Sequence, residues 1–390
     1  MWGSSGPALS SRCRLVMLAR RCCELWSLDR WDSRRGERAT QASVGERYAR
    51  AMRGRLAVTP AQYRRVAYVT LVALTLIVLT GAAVRLTGSG LGCPDWPKCY
   101  GKALPPLSTH ALIEFGNRGL SGLVGVLTVL AAALAFIRRP FRRDLAWLAC
   151  LLPLGVVAQA VLGGFTVREH LAPGFVMAHF GLSMILLIAA AALAWRAASE
   201  PGSRSRSADR LVVWSVRALA PFGALTIFAG TAATAAGPHA GGSPGQRIHR
   251  LHFKGADTLT WVIHRHATIA ALFGVAVVAV WLLHRRRTVT AESSGALAVA
   301  IRAPNALEPL TVLAVLLAAQ GLVGSVQYEL TLPADMVWVH VTLATLTWLA
   351  ILWAVAAAGR LPSRAQRPRP ATAAQAPPPE RGAEATLVAR

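Results

Sequence analysis

Histidines inside long apolar segments are the residues of this 390-residue chain best placed to do chemistry. His179, His264 and His340 each lie in an apolar stretch of about 20 residues, the length that crosses a bilayer. A polar side chain is costly there, so each needs a reason to be present. Two facing histidines could ligate the metal of a planar macrocycle; the alternative is a neutral histidine that bonds a backbone carbonyl. His266 is two residues from His264, points elsewhere on the helix, and is interpreted as structural.

Glu114 and Arg118 form a second candidate pair, because residues four apart share one face of a helix. In one interpretation they form a salt bridge that neutralises both charges. In the other, Glu114 has a proton or redox role beside a substrate and Arg118 binds a propionate. His110 lies one turn before Glu114, near the outer boundary, where it could simply be solvated.

Cys93 and Cys99 flank the sequence PDWPK in a loop that we place on the outer side of the membrane. Disulfides persist on that side. A metal pair is the alternative, but two cysteines without nearby partners make a poor zinc site. The sequence therefore favours a disulfide.

The elements that must position these residues are apolar segments of membrane-spanning length. Eight are present: Val66–Val84, Gly119–Ile137 with a helix start near Thr109, Leu145–Val167, Leu171–Trp195, Val212–Thr234, Leu259–Leu283, Pro309–Tyr328 and Met336–Gly359. Charged residues make up only 15% of the chain, against about 25% in soluble domains. The sequence therefore predicts an all-α integral membrane protein with eight transmembrane helices.

The net charge of +24 would suggest a nucleic-acid partner in a soluble protein. Here, however, arginine clusters precede the first segment and occupy the loops after the second, fourth and sixth. Positive residues mark cytoplasmic loops, so we expect both termini in the cytoplasm of a bacterial cell, with the helices in its cell membrane. No nucleic-acid partner is expected.

The eight segments divide into two sets of four with recurring features. A glutamine lies 20 residues before His179 and another 20 before His340, and Asn117 of the second segment aligns with His264 of the sixth. An even number of helices keeps both sets in the same orientation, which predicts two parallel-repeat four-helix bundles.

The chain divides into four regions on this basis. We expect a basic, disordered extension over residues 1–60, a first four-helix half over 61–200, a second half over 201–360 and a disordered Pro-, Ala- and Arg-rich tail over 361–390. Residues 1–52 lack the apolar core of a signal peptide, which makes Met52 a candidate start.

The segment RLTGSGLGCPDWPKCYG, residues 85–101, resembles the first outer loop of haem A synthases, membrane enzymes that convert haem O to haem A. Similar motifs follow in the family's order: LIEFGNR, QAVLGGFTV with AHF, GPHAGG, IHR and VWVHVTLA. The resemblance covers residues 60–357. It implies an oxidoreductase that acts on a CH3 group, oxidising a ring methyl of haem O through an alcohol to a formyl group for terminal oxidase assembly.

The resemblance also implies site residues. A haem b cofactor would lie between His264 and His340 in the second half, and the substrate haem O would bind beside His179 and the catalytic Glu114 in the first half. Arg118 and Arg265 would contact these groups.

The family has histidine at the position of Asn117. Either the first-half haem has one protein ligand, or His110 substitutes from a turn away.

Membrane lipid, haem O synthase and oxidase assembly factors are the expected partners, with a homo-oligomer as a further expectation. The electron acceptor and the source of the oxygen are not indicated. Two other classes would also fit parts of the pattern: a b-type cytochrome that only transfers electrons, and a parallel-repeat transporter. The cysteine-bearing loop favours the enzyme, and the mostly continuous helices argue against a transporter.

Overall fold

The computed structural model describes residues 57–199, 210–243, 245–246, 248–293 and 306–359. These residues form eight long helices: α1 Pro60–Leu86, α2 Thr109–Ile137, α3 Arg143–Arg168, α4 Pro173–Ala197, α5 Arg210–Ala236, α6 Thr258–Ser293, α7 Leu307–Glu329 and α8 Ala334–Ala357. All eight are long and apolar enough to cross a membrane. The prediction of an all-α, multi-pass membrane protein is confirmed. The predictions for Met52, most of the N-terminal extension and the C-terminal tail lie outside the described residues.

Local sequence explains several helix ends. Thr59 begins α1 with a capping box: its hydroxyl accepts the N–H of Gln62 at 3.2 Å, and the Gln62 side chain accepts the N–H of Thr59 at 2.9 Å. Helix α6 runs well past its predicted end at Leu283. The arginines after Leu283 ended the apolar segment, but arginine is a good helix former, so the helix continues.

The helices pack as two rings of neighbours. Helix α1 contacts α2, α2 contacts α3, α3 contacts α4 and α4 closes on α1; helices α5 to α8 do the same. Helices α2 and α4 are therefore diagonal in the first ring, and α6 and α8 in the second. The rings meet through α1, α4, α5 and α8, where the Trp338 indole donates to the Leu79 carbonyl at 3.0 Å and that of Trp348 to Met184 at 3.0 Å.

Two connections within the rings share a local conformation. His170 and Leu171 between α3 and α4, and Thr331 and Leu332 between α7 and α8, all have left-handed backbone angles. In both turns the second residue donates its N–H to a carbonyl five residues earlier, at 2.8 and 2.7 Å. Each turn thus places the following histidine, His179 or His340, at the same helical position. The equivalence of the complete halves stays a prediction.

Candidate functional site

The loop between α1 and α2, which the sequence predicts on the outer side of the membrane, contains a disulfide between Cys93 and Cys99. Both cysteines are fully buried against α2. The exposed Asp95 carboxylate accepts the N–H groups of Tyr100 and Gly101 at 2.6 and 2.8 Å. These bonds, that of Gly101 foremost, hold the pKa of Asp95 below its usual value. The predicted disulfide is confirmed, and its formation excludes the metal pair.

Glu114 and Arg118 attach this loop to α2. One Glu114 oxygen accepts the guanidinium of Arg118 at 2.6 Å, and the other accepts the N–H of Cys93 at 2.7 Å. Arg118 also donates to the carbonyls of Cys93, Asp95 and Lys98 at 3.1, 3.0 and 3.0 Å. The salt bridge of the first interpretation therefore forms, and it holds the loop as well. A catalytic role for Glu114 and a propionate contact for Arg118 stay predictions.

The loop also lies on α3, close to His179. A Cβ on Gly164 would lie 2.9 Å from the Trp96 ring, and Arg168 donates to the Trp96 carbonyl at 3.4 Å. The preceding residue, Gly163, faces the His179 ring: a Cβ there would lie 3.2 Å from Cε1. The disulfide loop and His179 thus contact adjacent residues of α3, Gly164 and Gly163.

His179 and His340 have matching surroundings in the two rings. Gln159 donates to the His179 carbonyl at 3.1 Å, and Gln320 donates to the His340 carbonyl at 3.1 Å. A glycine four residues after each glutamine, Gly163 or Gly324, lies against the Cε1–Nδ1 edge of the ring. In both histidines Nδ1 is buried and has no hydrogen-bonding partner among the described residues. The Nε2 atom of each ring is directed away from the glycine.

The structure places His266, not His264, beside His340. The ring centroids of His266 and His340 are 6.3 Å apart, with an interplanar angle of 78°. His264 is exposed, and its ring lies 6.2 Å from that of Tyr328 on α7. His264 and His266 thus point to different sides of α6, as expected, and the structural interpretation of His266 stays a prediction. Ligation by His264 stays a prediction. The signal that could have indicated His266 is Gly230, whose Cβ would lie 3.0 Å from its ring.

The remaining sequence candidates have other neighbours. The side-chain Oδ1 atom of Asn117 accepts a hydrogen bond from the Thr80 hydroxyl of α1 at 2.8 Å. His110 Nδ1 lies 3.0 Å from the Ser89 hydroxyl, so this histidine contacts the outer loop. The Arg265 guanidinium lies 5.3 Å above the ring of Trp261, one turn earlier in α6.

The loop between α5 and α6, which contains GPHAGG, contacts the loop between α1 and α2. Arg85 at the end of α1 donates to the carbonyls of His239 and Thr234 at 2.9 and 3.0 Å, and the Gly90 N–H donates to the Gly241 carbonyl at 2.8 Å. These bonds join the two rings at the end where both loops lie. The GPHAGG motif is evident in the sequence, but the role of Arg85 is not, because its basic charge alone does not distinguish it from loop arginines.

Comparison with known proteins places this arrangement in a family. Residues 64–307 match the family described as cytochrome oxidase assembly protein. That range includes Glu114, His179, His264 and His266, and His340 follows it. The chain belongs to this family, that of the haem A synthases.

Individual relatives cover a shorter part. The haem A synthase of Bacillus licheniformis is 33% identical over 118 residues, which are 30% of this chain and 39% of that protein. Those of Bacillus cereus and Bacillus anthracis are 37% identical over 121 residues, again 30% of this chain and 39% of theirs. The matched region thus spans well under half the length of these relatives.

Proposed function

We propose that this protein oxidises a ring methyl of haem O to the formyl group of haem A, in a bacterial cell membrane and with both termini in the cytoplasm. The observation that carries the proposal is the repeated arrangement of glutamine, histidine and glycine around His179 and His340. Two such sites suit a protein that handles two haems, one as substrate and one as cofactor. Membership of the haem A synthase family supplies the reaction.

The histidine environments fit haem iron. A glycine at each ring leaves no side chain between the imidazole and the neighbouring helix, and it contacts the Cε1–Nδ1 edge, which leaves Nε2 for a ligand. Neutral imidazole nitrogen is a common axial ligand of haem. His264 and His340 would hold haem b, which when bound would carry electrons from the substrate toward an acceptor.

The chain's own groups would act on the substrate in the first ring. His179 would bind the iron of haem O. The disulfide loop, which Trp96 holds on α3, would exclude water from the outer side, and the apolar tail of haem O would extend into lipid. The Glu114 carboxylate, fixed by Arg118 and Cys93, would stabilise positive charge that develops at the methyl carbon as it loses electrons. Arg118 and Arg265 would meet haem propionates, and haem O synthase would supply the substrate.

A b-type cytochrome with two haems is the second candidate, because the histidines alone would permit it. Pyridine haemochrome spectra of membranes from a host that makes haem O but no haem A distinguish the two. Expression of this protein should produce the spectrum of haem A. An increase in haem b alone would support the cytochrome and contradict the enzyme.

A further inference from the structure

We propose that His239, in the loop between α5 and α6, is a positioning residue for His340. We further infer that this loop holds the turns before His179 and His340 at a fixed separation. The inference rests on the proposed function, because it treats these two histidines as haem ligands. It gives the GPHAGG segment, residues 237–242, a role that the motif alone does not indicate.

The His239 imidazole bonds the turn between α7 and α8. Its Nε2 atom lies 2.7 Å from the Leu332 carbonyl oxygen, which can only accept, so Nε2 carries the proton. Leu332 also donates its own N–H to the Gln327 carbonyl at 2.7 Å. Both main-chain polar groups of Leu332 are therefore fixed. Because α8 begins at Ala334, the position of this turn sets the position of His340 two helical turns further on.

Gly241, two residues after His239, contacts the corresponding turn of the first ring. A Cβ on Gly241 would lie 2.9 Å from Cδ1 of Leu171, and one on Gly90 would lie 3.0 Å from the same atom. The Leu171 side chain is buried between these two stretches of glycine backbone. Gly241 also has a φ of +104°, which side-chain-bearing residues rarely adopt. One loop thus contacts both turns that precede the candidate haem ligands.

Both turns need such support because of their backbone conformation. Each has two consecutive residues other than glycine in the left-handed region, with φ of 49° and 60° in the first ring and of 60° and 64° in the second. This conformation is unfavourable for residues with a Cβ, so contacts around the turn must hold it. A loop that bonds one turn and packs on the other can hold both, and with them the histidines that follow.

Arg85 of α1 fixes the loop from the first ring. Its Nε donates to the His239 carbonyl at 2.9 Å, and its Nη2 donates to the Thr234 carbonyl at 3.0 Å. Thr234 lies in the last turn of α5, where Pro238 has no N–H to complete the helical bond. A cation is also favourable at the C-terminus of a helix. The main chain of His239 is therefore held by the first ring, while its side chain holds the second.

Substitutions in the purified full chain test the role of His239. Main-chain hydrogen exchange in both turns and the retention of haem b are measured. His239→Ala should speed exchange in the α7–α8 turn, leave the α3–α4 turn unchanged and weaken haem b retention about tenfold. His239→Gln should restore most of both properties, because its amide N–H can donate to the Leu332 carbonyl. His249→Ala, at an exposed position of the same loop, is the control.

Two further variants test the connection between the rings. Gly241→Ala should speed exchange in the α3–α4 turn, which its Cβ would displace. Arg85→Lys covers the case in which His239→Ala fails to fold. Lysine keeps the charge but cannot bond both carbonyls in the geometry of the planar guanidinium. Exchange in the α7–α8 turn should therefore rise, although the substituted residue belongs to the first ring.

The outcomes separate this inference from the proposed function. If His239→Ala matches His249→Ala in exchange and in haem b retention, the inference is overturned and the proposed function stands. If the wild-type protein makes no haem A but its α7–α8 turn responds to His239→Ala as expected, the proposed function fails while the positioning of the turn is supported, because exchange is measured without haem.

Discussion

The Glu114 carboxylate accepts the main-chain N–H of Cys93 at 2.7 Å, which ties the disulfide loop to α2. The second Glu114 oxygen is held by Arg118, so a buried ion pair and a covalent loop form one unit. The same loop rests on α3 beside the glycine that supports His179. A substitution at Glu114 should therefore disturb the position of the disulfide loop more than the packing of the helices.

Replacement of Glu114 by Gln tests this unit. The Glu114 carboxylate accepts from two donors, the Cys93 N–H and the Arg118 guanidinium. The glutamine amide has only one acceptor oxygen, so its NH2 group would face one of these donors and repel it. Arg118 would keep its main-chain carbonyl partners but lose its counter-charge, which should cost about 3 kcal/mol locally. We expect haem A to fall to background, haem b to remain, and the loop to be cleaved faster in limited proteolysis. Glu169→Gln, at an exposed outer position, is the control. Wild-type haem A in Glu114→Gln would show that Glu114 is neither catalytic nor needed to hold the loop.

Removal of the disulfide should act on the loop alone. Cys93→Ser should lower the yield of haem A several-fold while leaving the unfolding temperature of the helices unchanged, because a short covalent ring contributes little to eight packed helices. Cys150→Ser, on α3 and outside this disulfide, is the control. Mass mapping without reductant should find Cys93 joined to Cys99. Free thiols at both positions in the native protein would contradict the account.

A methyl group at Gly324 should disturb the resident haem. Its Cβ would lie 3.0 Å from the His340 ring, tighter than normal packing, so the ring must move. We expect Gly324→Ala to weaken haem b retention about tenfold, the scale of changes to groups that orient metal ligands. Gly321→Ala, one turn earlier with no atom within 4 Å, should leave retention unchanged. Equal retention in both variants would show that the glycine does not set the His340 position.

A second histidine in the first ring should trap its haem. Asn117→His places an imidazole at the position that aligns with His264 in the second ring. We expect the purified variant to retain more haem per chain than the wild type and to release product more slowly. Retention equal to that of the wild type would contradict the equivalence of Asn117 and His264.

Much of this fold could be predicted from sequence because its signals are local. Apolar segments of sufficient length predicted the eight helices. The predicted outer position of Cys93 and Cys99 indicated the disulfide. The end of α6 was wrong because hydropathy marks where a membrane segment stops, whereas the helix continues through arginine.

The neighbours of the histidines could not be predicted in the same way. Which side of α6 faces His340 depends on how α5, α7 and α8 pack around it, and the sequence has no local signal that puts His266 rather than His264 beside His340. The hydrogen bonds from Arg118 to the disulfide loop could not be predicted either, because they depend on the backbone conformation of residues 93–98.

The most direct test uses a host that makes haem O but no haem A. Its haems are extracted with and without expression of this protein, separated by chromatography and identified by mass spectrometry. The account predicts that haem O is consumed and that haem A appears, together with an alcohol intermediate, only when the protein is present. A folded protein that carries its resident haem b and leaves haem O unchanged would contradict it.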